Sequence, residues 1–179
     1  MFMNIEQLQY PIGKFAKPAI ITAAHLAQYR NTLETFPEAL QKTVASLSDS
    51  QLDTPYRPDG WTIRQVVHHC ADSHLNSFIR FKLALTEENP TIKPYFEDRW
   101  AVLADSMMPV EISLQLVDLL HKKWIVFLKS MQPADFERTF FHPEQKKSIT
   151  LAEATGIYAW HSEHHLAQIT NLLIRQGWA

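Results

Sequence analysis

Two imidazoles one helical turn apart, His161 and His165 in the stretch Trp160-His161-Ser162-Glu163-His164-His165, sit inside an apolar, helix-periodic sequence. Leu151, Ala154, Tyr158, His161, His165, Gln168 and Leu172 recur at alternating steps of three and four residues, the spacing of a helix's core seam. His161 and His165 therefore point inward, while His164 lies about 100° off that line. A lone core histidine is satisfied as a neutral, hydrogen-bonded ring. Two in register are costly to desolvate unless each finds a partner, and a divalent cation answers both needs.

The rest of the chain is read as the same kind of structure. Only four glycines occur in 179 residues, and several long segments carry a 3.6-residue apolar period, so a mostly helical protein is expected. With 46% hydrophobic residues, one core and one domain over residues 1–179 suffice. Seventeen basic against 19 acidic residues, with no basic block, make a nucleic-acid partner unexpected. Cys70 is the only cysteine, and the start Met1-Phe2-Met3-Asn4-Ile5-Glu6 lacks the pattern of a secretion signal. No apolar run reaches the roughly 18 residues of a membrane span, so a soluble, cytoplasmic protein is expected.

After an arm with Pro11, Gly13 and Pro18, a helical pattern runs from near Thr22 to about Leu47, with Pro37 threatening a kink or a break. Thr62 and Gln65 form a capping-box signature for a second helix ending near Glu88. The segment Pro94 to Trp100, rich in aromatic and charged groups, is expected as a loop able to cover a site. A third helix is expected over Val110–Met131, with Ile112, Leu116, Leu119, Leu120, Trp124, Phe127 and Leu128 as its apolar face. A short hairpin fits the stretch between Phe136 and Thr150. Thr150 and Glu153 repeat the capping-box signature, opening a fourth helix that ends near Gln176 with Gly177 as its left-handed stop. The expected fold class is therefore all-α, a four-helix bundle, and such bundles place metal sites between facing helices.

A third ligand is expected from the second helix, which carries His68, His69 and His74; spacing alone does not choose among them. His74 follows the apolar stripe Ile63, Val67, Cys70, Phe78 and Phe81 and reads as a core histidine. His69, Ser73, Asn76 and Arg80 mark a polar strip along the flank of that face. His68 and Asp72 read as a surface pair.

The runs Gly60-Trp61-Thr62-Ile63-Arg64-Gln65-Val66-Val67-His68-His69-Cys70-Ala71-Asp72-Ser73-His74, Arg80-Phe81-Lys82-Leu83-Ala84-Leu85-Thr86-Glu87-Glu88 and Tyr158 to His165 closely resemble the YfiT branch of the DinB-like superfamily. The opening Tyr10-Pro11-Ile12-Gly13 and the closing Gly177-Trp178 resemble it as well. The resemblance implies one divalent metal ion per chain, held by His69, His161 and His165, and it suggests a homodimer; three imidazoles accept zinc, nickel or cobalt, and zinc or nickel is expected. Cys70 stands where the family carries leucine; it points about 100° away from His69 and is expected to be a small buried side chain.

Three neutral nitrogen ligands leave a coordination position open, as in catalytic sites. Related proteins act on low-molecular-weight thiols such as bacillithiol, so the resemblance implies a metal-dependent S-transferase joining a small-molecule thiol to an electrophile. Asn76 and Arg80 are then expected to bind the thiol's hydroxyl and anionic groups, Trp100 to cover the electrophile, and Tyr158 to complete the substrate-binding set. Arg80 equally suits pairing with Glu97 or Asp98. The rival is a metal-dependent hydrolase with Glu163 or Asp72 as a distant general base, although Glu163 falls about 160° from His161 around the helix. A non-catalytic metal- or ligand-binding module is the third reading.

Overall fold

In the computed structural model, which describes residues 4–178, the long amphipathic segments are four helices and the polar segments between them are turns and one hairpin. The order is α1 (Ile5–Gln9), α2 (Ala23–Val44), α3 (Asp49–Leu52), α4 (Ile63–Thr86), α5 (Glu97–Trp100), a 3-10 turn (Ala104–Met107), α6 (Val110–Ser130), α7 (Pro133–Phe136), β1 (Thr139–His142), β2 (Lys147–Thr150) and α8 (Leu151–Gln176). Around the bundle α2 packs on α8, α8 on α4, α4 on α6 and α6 on α2. The sequential pairs α2/α4 and α6/α8 therefore face each other across the diagonals.

Side chains define the ends of these helices. At the start of α4, the Gln65 backbone N–H donates to Thr62 Oγ1 at 3.1 Å and the Thr62 N–H donates to Gln65 Oε1 at 2.9 Å, a complete capping box. Only half of the expected box opens α8. Thr150 Oγ1 accepts from the Glu153 N–H at 3.1 Å, but the Glu153 carboxylate turns to Lys17 at 2.7 Å and Lys147 at 3.0 Å, because two ammonium groups outbid one backbone N–H. Gly177 closes α8 at φ 68°, a left-handed stop that L side chains avoid. Pro37 neither breaks nor divides its helix: α2 runs through it without interruption.

Two apolar clusters fill the bundle. One gathers Leu33, Phe78, Phe81, Trp124, Leu128 and Tyr158; the other gathers Phe36, Leu40, Val66, Val67, Cys70, Val117, Ile169 and Leu172. Between them lies a buried polar layer that includes Ser73, His74, Ser77, His121, Ser162 and His165. The hairpin pairs Thr139 with Thr150 through His142 with Lys147, and its opposed residues Phe140 and Ile149 are buried in the first cluster.

The third long helix corrects the sequence expectation. Ile112, Leu116 and Leu119 are exposed, and the seam of α6 is Val110, Ser113, Val117, Leu120, His121, Trp124 and Leu128. A helix with apolar residues on two faces gives a periodicity signal for both, and the richer stripe need not be the buried one. The Pro94–Trp100 segment is a loop only as far as Phe96; its last four residues form α5. Cys70 is fully buried in the second cluster. Among the described residues, no helix is long and apolar enough to cross a membrane. Thr62→Ala removes the α4 cap and is expected to lower the unfolding free energy by about 1 kcal/mol, read from urea denaturation.

Candidate metal centre

The face of α4 carrying His69 meets the face of α8 carrying His161 and His165, and three imidazoles converge. Their ligand atoms lie within 4.8 Å of one another. His69 Nε2 is 3.1 Å from His161 Nε2, which is itself 3.1 Å from His165 Nε2. Metal–nitrogen bonds of about 2.0–2.1 Å place neighbouring nitrogens roughly 2.9 Å apart at right angles and roughly 3.3 Å apart in a tetrahedron. The two contacts that His161 makes lie between these values, and the third pair, His69 and His165, lies within 4.8 Å. Among the described residues no carboxylate or thiol joins the triad.

Hydrogen-bond directions make one of these nitrogens an unprotonated donor to a cation. The Gln9 carbonyl can only accept, so the Gln168 amide turns its Nε2–H towards it at 2.9 Å. That leaves Gln168 Oε1 facing His165 Nδ1 at 2.9 Å, an oxygen that requires the proton on Nδ1. The lone pair of His165 is consequently on Nε2, facing the triad. These features fit a divalent ion with nitrogen preference.

The triad forms part of the wall of a cavity of about 650 Å³, open to solvent. Tyr10, Trp61, Ser73, Tyr95, Tyr158 and His164 line it with the three histidines, and Arg57, Asp59, Arg80, Glu97, Asp98 and Glu144 add charge. Ser73 Oγ lies 3.5 Å from both the Tyr158 hydroxyl and His161 Nε2. Trp61 packs on the His69 ring with centroids 4.7 Å apart. Burial pushes the Tyr95 hydroxyl's pKa up, so it remains a neutral donor.

Of the other residues expected at the site, Tyr158 and Arg80 line the cavity. Arg80 Nη2 donates to the Lys93 carbonyl at a long 3.5 Å, not to Glu97 or Asp98. Asn76 and Trp100 are not lining residues: the Asn76 amide donates to Asp72 O in its own helix at 2.9 Å, and the Trp100 ring packs against Tyr95 at a tilt, with centroids 4.5 Å apart. Neither expected carboxylate base reaches the cavity. Glu163 is exposed and accepts from Thr32 Oγ1 at 3.1 Å, while half-buried Asp72 lies outside the lining set, its pKa raised to about 6 by burial and by nearby Asp105.

His68 is not a surface partner of Asp72. It is buried, with Nδ1 2.7 Å from Ser113 Oγ and Nε2 3.0 Å from the Met108 carbonyl. His74 is fully buried, as expected of a core histidine, but it stands behind His161: its Nε2 is 3.1 Å from His161 Nδ1, and its Nδ1 is 2.7 Å from His121 Nε2. His121 was invisible to sequence reasoning. The signal was its place at i+4 from Val117 on a seam obscured by the apolar outer stripe of α6.

The chain belongs to the DinB superfamily, whose profile matches residues 32–169. Within it, the chain is 52% identical to a protein of Bacillus mycoides (strain KBAB4) named "putative metal-dependent hydrolase", over 97% of this chain and all of that one. A protein of the same name from Oceanobacillus iheyensis is 52% identical over 95% of this chain and 98% of its own length. The solved structure of YfiT from Bacillus subtilis, described as "a probable metal-dependent hydrolase with an unusual four-helix bundle topology", superposes with a TM-score of 0.94 at 48% identity, covering 97% of this chain and 99% of that one. The DinB-type helical bundle expected from the sequence is thereby established.

Burial lowers the pKa of His69 and His121 to about 4 and drives those of His74, His161 and His165 well below the ordinary value; neighbouring imidazoles add to the effect at all but His121. In the unfolded chain these groups titrate near 6.5, so between that pH and about 4 the unfolded state binds more protons. The stability they confer is complete above about 6.5 and is lost as pH falls through the folded-state values. In chelator-treated protein, urea denaturation is expected to show a loss of about 2 kcal/mol between pH 7 and pH 5 for each histidine held near 4.

Proposed function

We propose that this protein is a metal-dependent S-transferase that uses His69, His161 and His165 to hold one zinc or nickel ion per chain and joins a small-molecule thiol to an electrophile. The observation that carries the reading is a triad of neutral imidazoles in the wall of a polar cavity, with no carboxylate among the converging groups. When bound, the ion supplies a Lewis acid that lowers the pKa of a thiol or of water. A thiol, at about 8.5, needs far less lowering than water, at about 15.7, and so depends less on an auxiliary base. Ser73 and Tyr158 offer hydroxyls beside the triad to orient the incoming group, and Arg80 offers a cation to an anionic part of the thiol.

Hydrolysis is the second reading, favoured by the names that the relatives from Bacillus mycoides and Oceanobacillus iheyensis carry. It uses the same three histidines, with water in place of the thiol. The whole chain, residues 1–179, acts as one domain in either case, and a cytoplasmic setting suits the single buried thiol of Cys70. A homodimer would cover the exposed apolar side chains of Leu75 and Ile79 on α4 and Ile112, Leu116 and Leu119 on α6.

Metal analysis of untagged protein is expected to find about one divalent ion per chain, lost in His69→Ala, His161→Ala and His165→Ala and kept in His68→Ala and His164→Ala. Retention of metal by His69→Ala together with its loss from His68→Ala would refute the assignment on α4. The reaction is decided by incubating the metal-loaded enzyme with bacillithiol and an alkylating electrophile in ¹⁸O-labelled water. Enzyme-dependent formation of the thiol adduct is expected; product carrying ¹⁸O without any requirement for thiol means hydrolysis.

A further inference from the structure

His161 is the end of a line of three imidazoles that begins at a backbone carbonyl. In α2, Pro37 has no amide hydrogen, so the Leu33 carbonyl four residues before it has no intrahelical donor. His121 of α6 lies across the diagonal from His161 of α8, and its Nδ1 is 2.6 Å from that carbonyl oxygen. His121 Nε2 is 2.7 Å from His74 Nδ1, and His74 Nε2 is 3.1 Å from His161 Nδ1. Four helices are thus linked through one continuous set of hydrogen bonds.

The carbonyl decides the direction of them all. It accepts only, so His121 carries its proton on Nδ1 and leaves Nε2 as an acceptor. His74 must then donate from Nδ1 and accept at Nε2, and His161 must donate from Nδ1. His74 and His121 are deeply buried, with Phe36 and Trp124 against both rings, an environment that favours neutral imidazoles.

We propose that His121 and His74 are positioning residues: anchored on the Leu33 carbonyl that Pro37 leaves free, they hold His161 as the Nδ1–H tautomer, with its Nε2 lone pair aimed into the triad before any metal arrives. This rests on the reading of the triad as a metal site. Gln168, anchored on the Gln9 carbonyl, does the same for His165 through a single link. With both protons fixed on the far side of their rings, no imidazole proton lies in the 3.1 Å contact between His161 Nε2 and His165 Nε2, and a cation relieves the repulsion of two lone pairs.

The test reads tautomers directly. In ¹⁵N-labelled, metal-free wild type at neutral pH, long-range ¹H–¹⁵N correlation spectra are expected to show His121, His74 and His161 all protonated on Nδ1. A proton on Nε2 of His74 or His161 would overturn the proposal, and this measurement requires no variant to fold. Zinc affinity by competition with a chromogenic chelator supplies the second readout. His121→Phe, which can neither donate to Leu33 nor accept from His74, is expected to bind zinc about 10- to 100-fold more weakly and to show mixed tautomers at His161. His121→Gln, whose amide can do both, is expected to restore one tautomer and most of the affinity. A folded His121→Phe protein with wild-type zinc affinity and a single His161 tautomer would refute the positioning role. Because the spectra are taken without metal, wild type with the expected tautomers but no zinc uptake counts against the metal reading, whereas wrong tautomers with tight zinc binding count against the relay.

Discussion

A buried layer of imidazoles must be satisfied without water, and the bundle is organised around that requirement. Each neutral ring brings one donor and one acceptor, and an unpaired buried polar group costs about 1–3 kcal/mol. The apolar clusters above and below the layer form an ordinary bundle core. The layer between them fixes the rotational setting of the four long helices, because a helix turned by one residue would take its ring about 100° away from its partner. Hydrophobic contact tolerates such a shift more readily than a line of directional bonds. The layer thus specifies the arrangement, while the clusters supply most of the favourable free energy.

The cavity joins this helical interior to walls drawn from connecting segments. Its floor is built on α4 and α8, where side-chain positions are set by helix packing, and its rim comes from connecting segments that contribute Arg57, Asp59, Tyr95, Glu97 and Glu144. Chemistry common to the triad can therefore be kept while the groups that meet the rest of a substrate change. The lining carries charges of both signs, Arg57 and Arg80 against Asp59, Glu97, Asp98 and Glu144.

The helices were legible because capping residues and apolar periods are local signals: Thr62, Gln65 and Gly177 act where the sequence places them. His161 and His165 were legible for the same reason, as two rings on one seam. His69 was not distinguishable from His68 and His74 by spacing and came from the family resemblance. What stayed hidden depends on other elements. His68 reads as a surface group until Ser113 and Met108 cover it, and Glu153 reads as a helix cap until Lys17 and Lys147 approach. His121 belongs to a stripe that competes with Ile112, Leu116 and Leu119 for the name of core face, and only the partners of α6 decide between them.

Pro37 gains a meaning that helix propensity cannot assign. An interior proline generally weakens a helix by about 3 kcal/mol, so alanine there is the change that stability considerations alone recommend. Alanine would also return a donor to the Leu33 carbonyl, one that bonds within α2 and competes with His121 for the oxygen on which three imidazole protons are aligned. The helix is left locally incomplete so that its missing bond is made by a neighbour, and a defect in one element becomes the origin from which the orientation of a distant ring is counted.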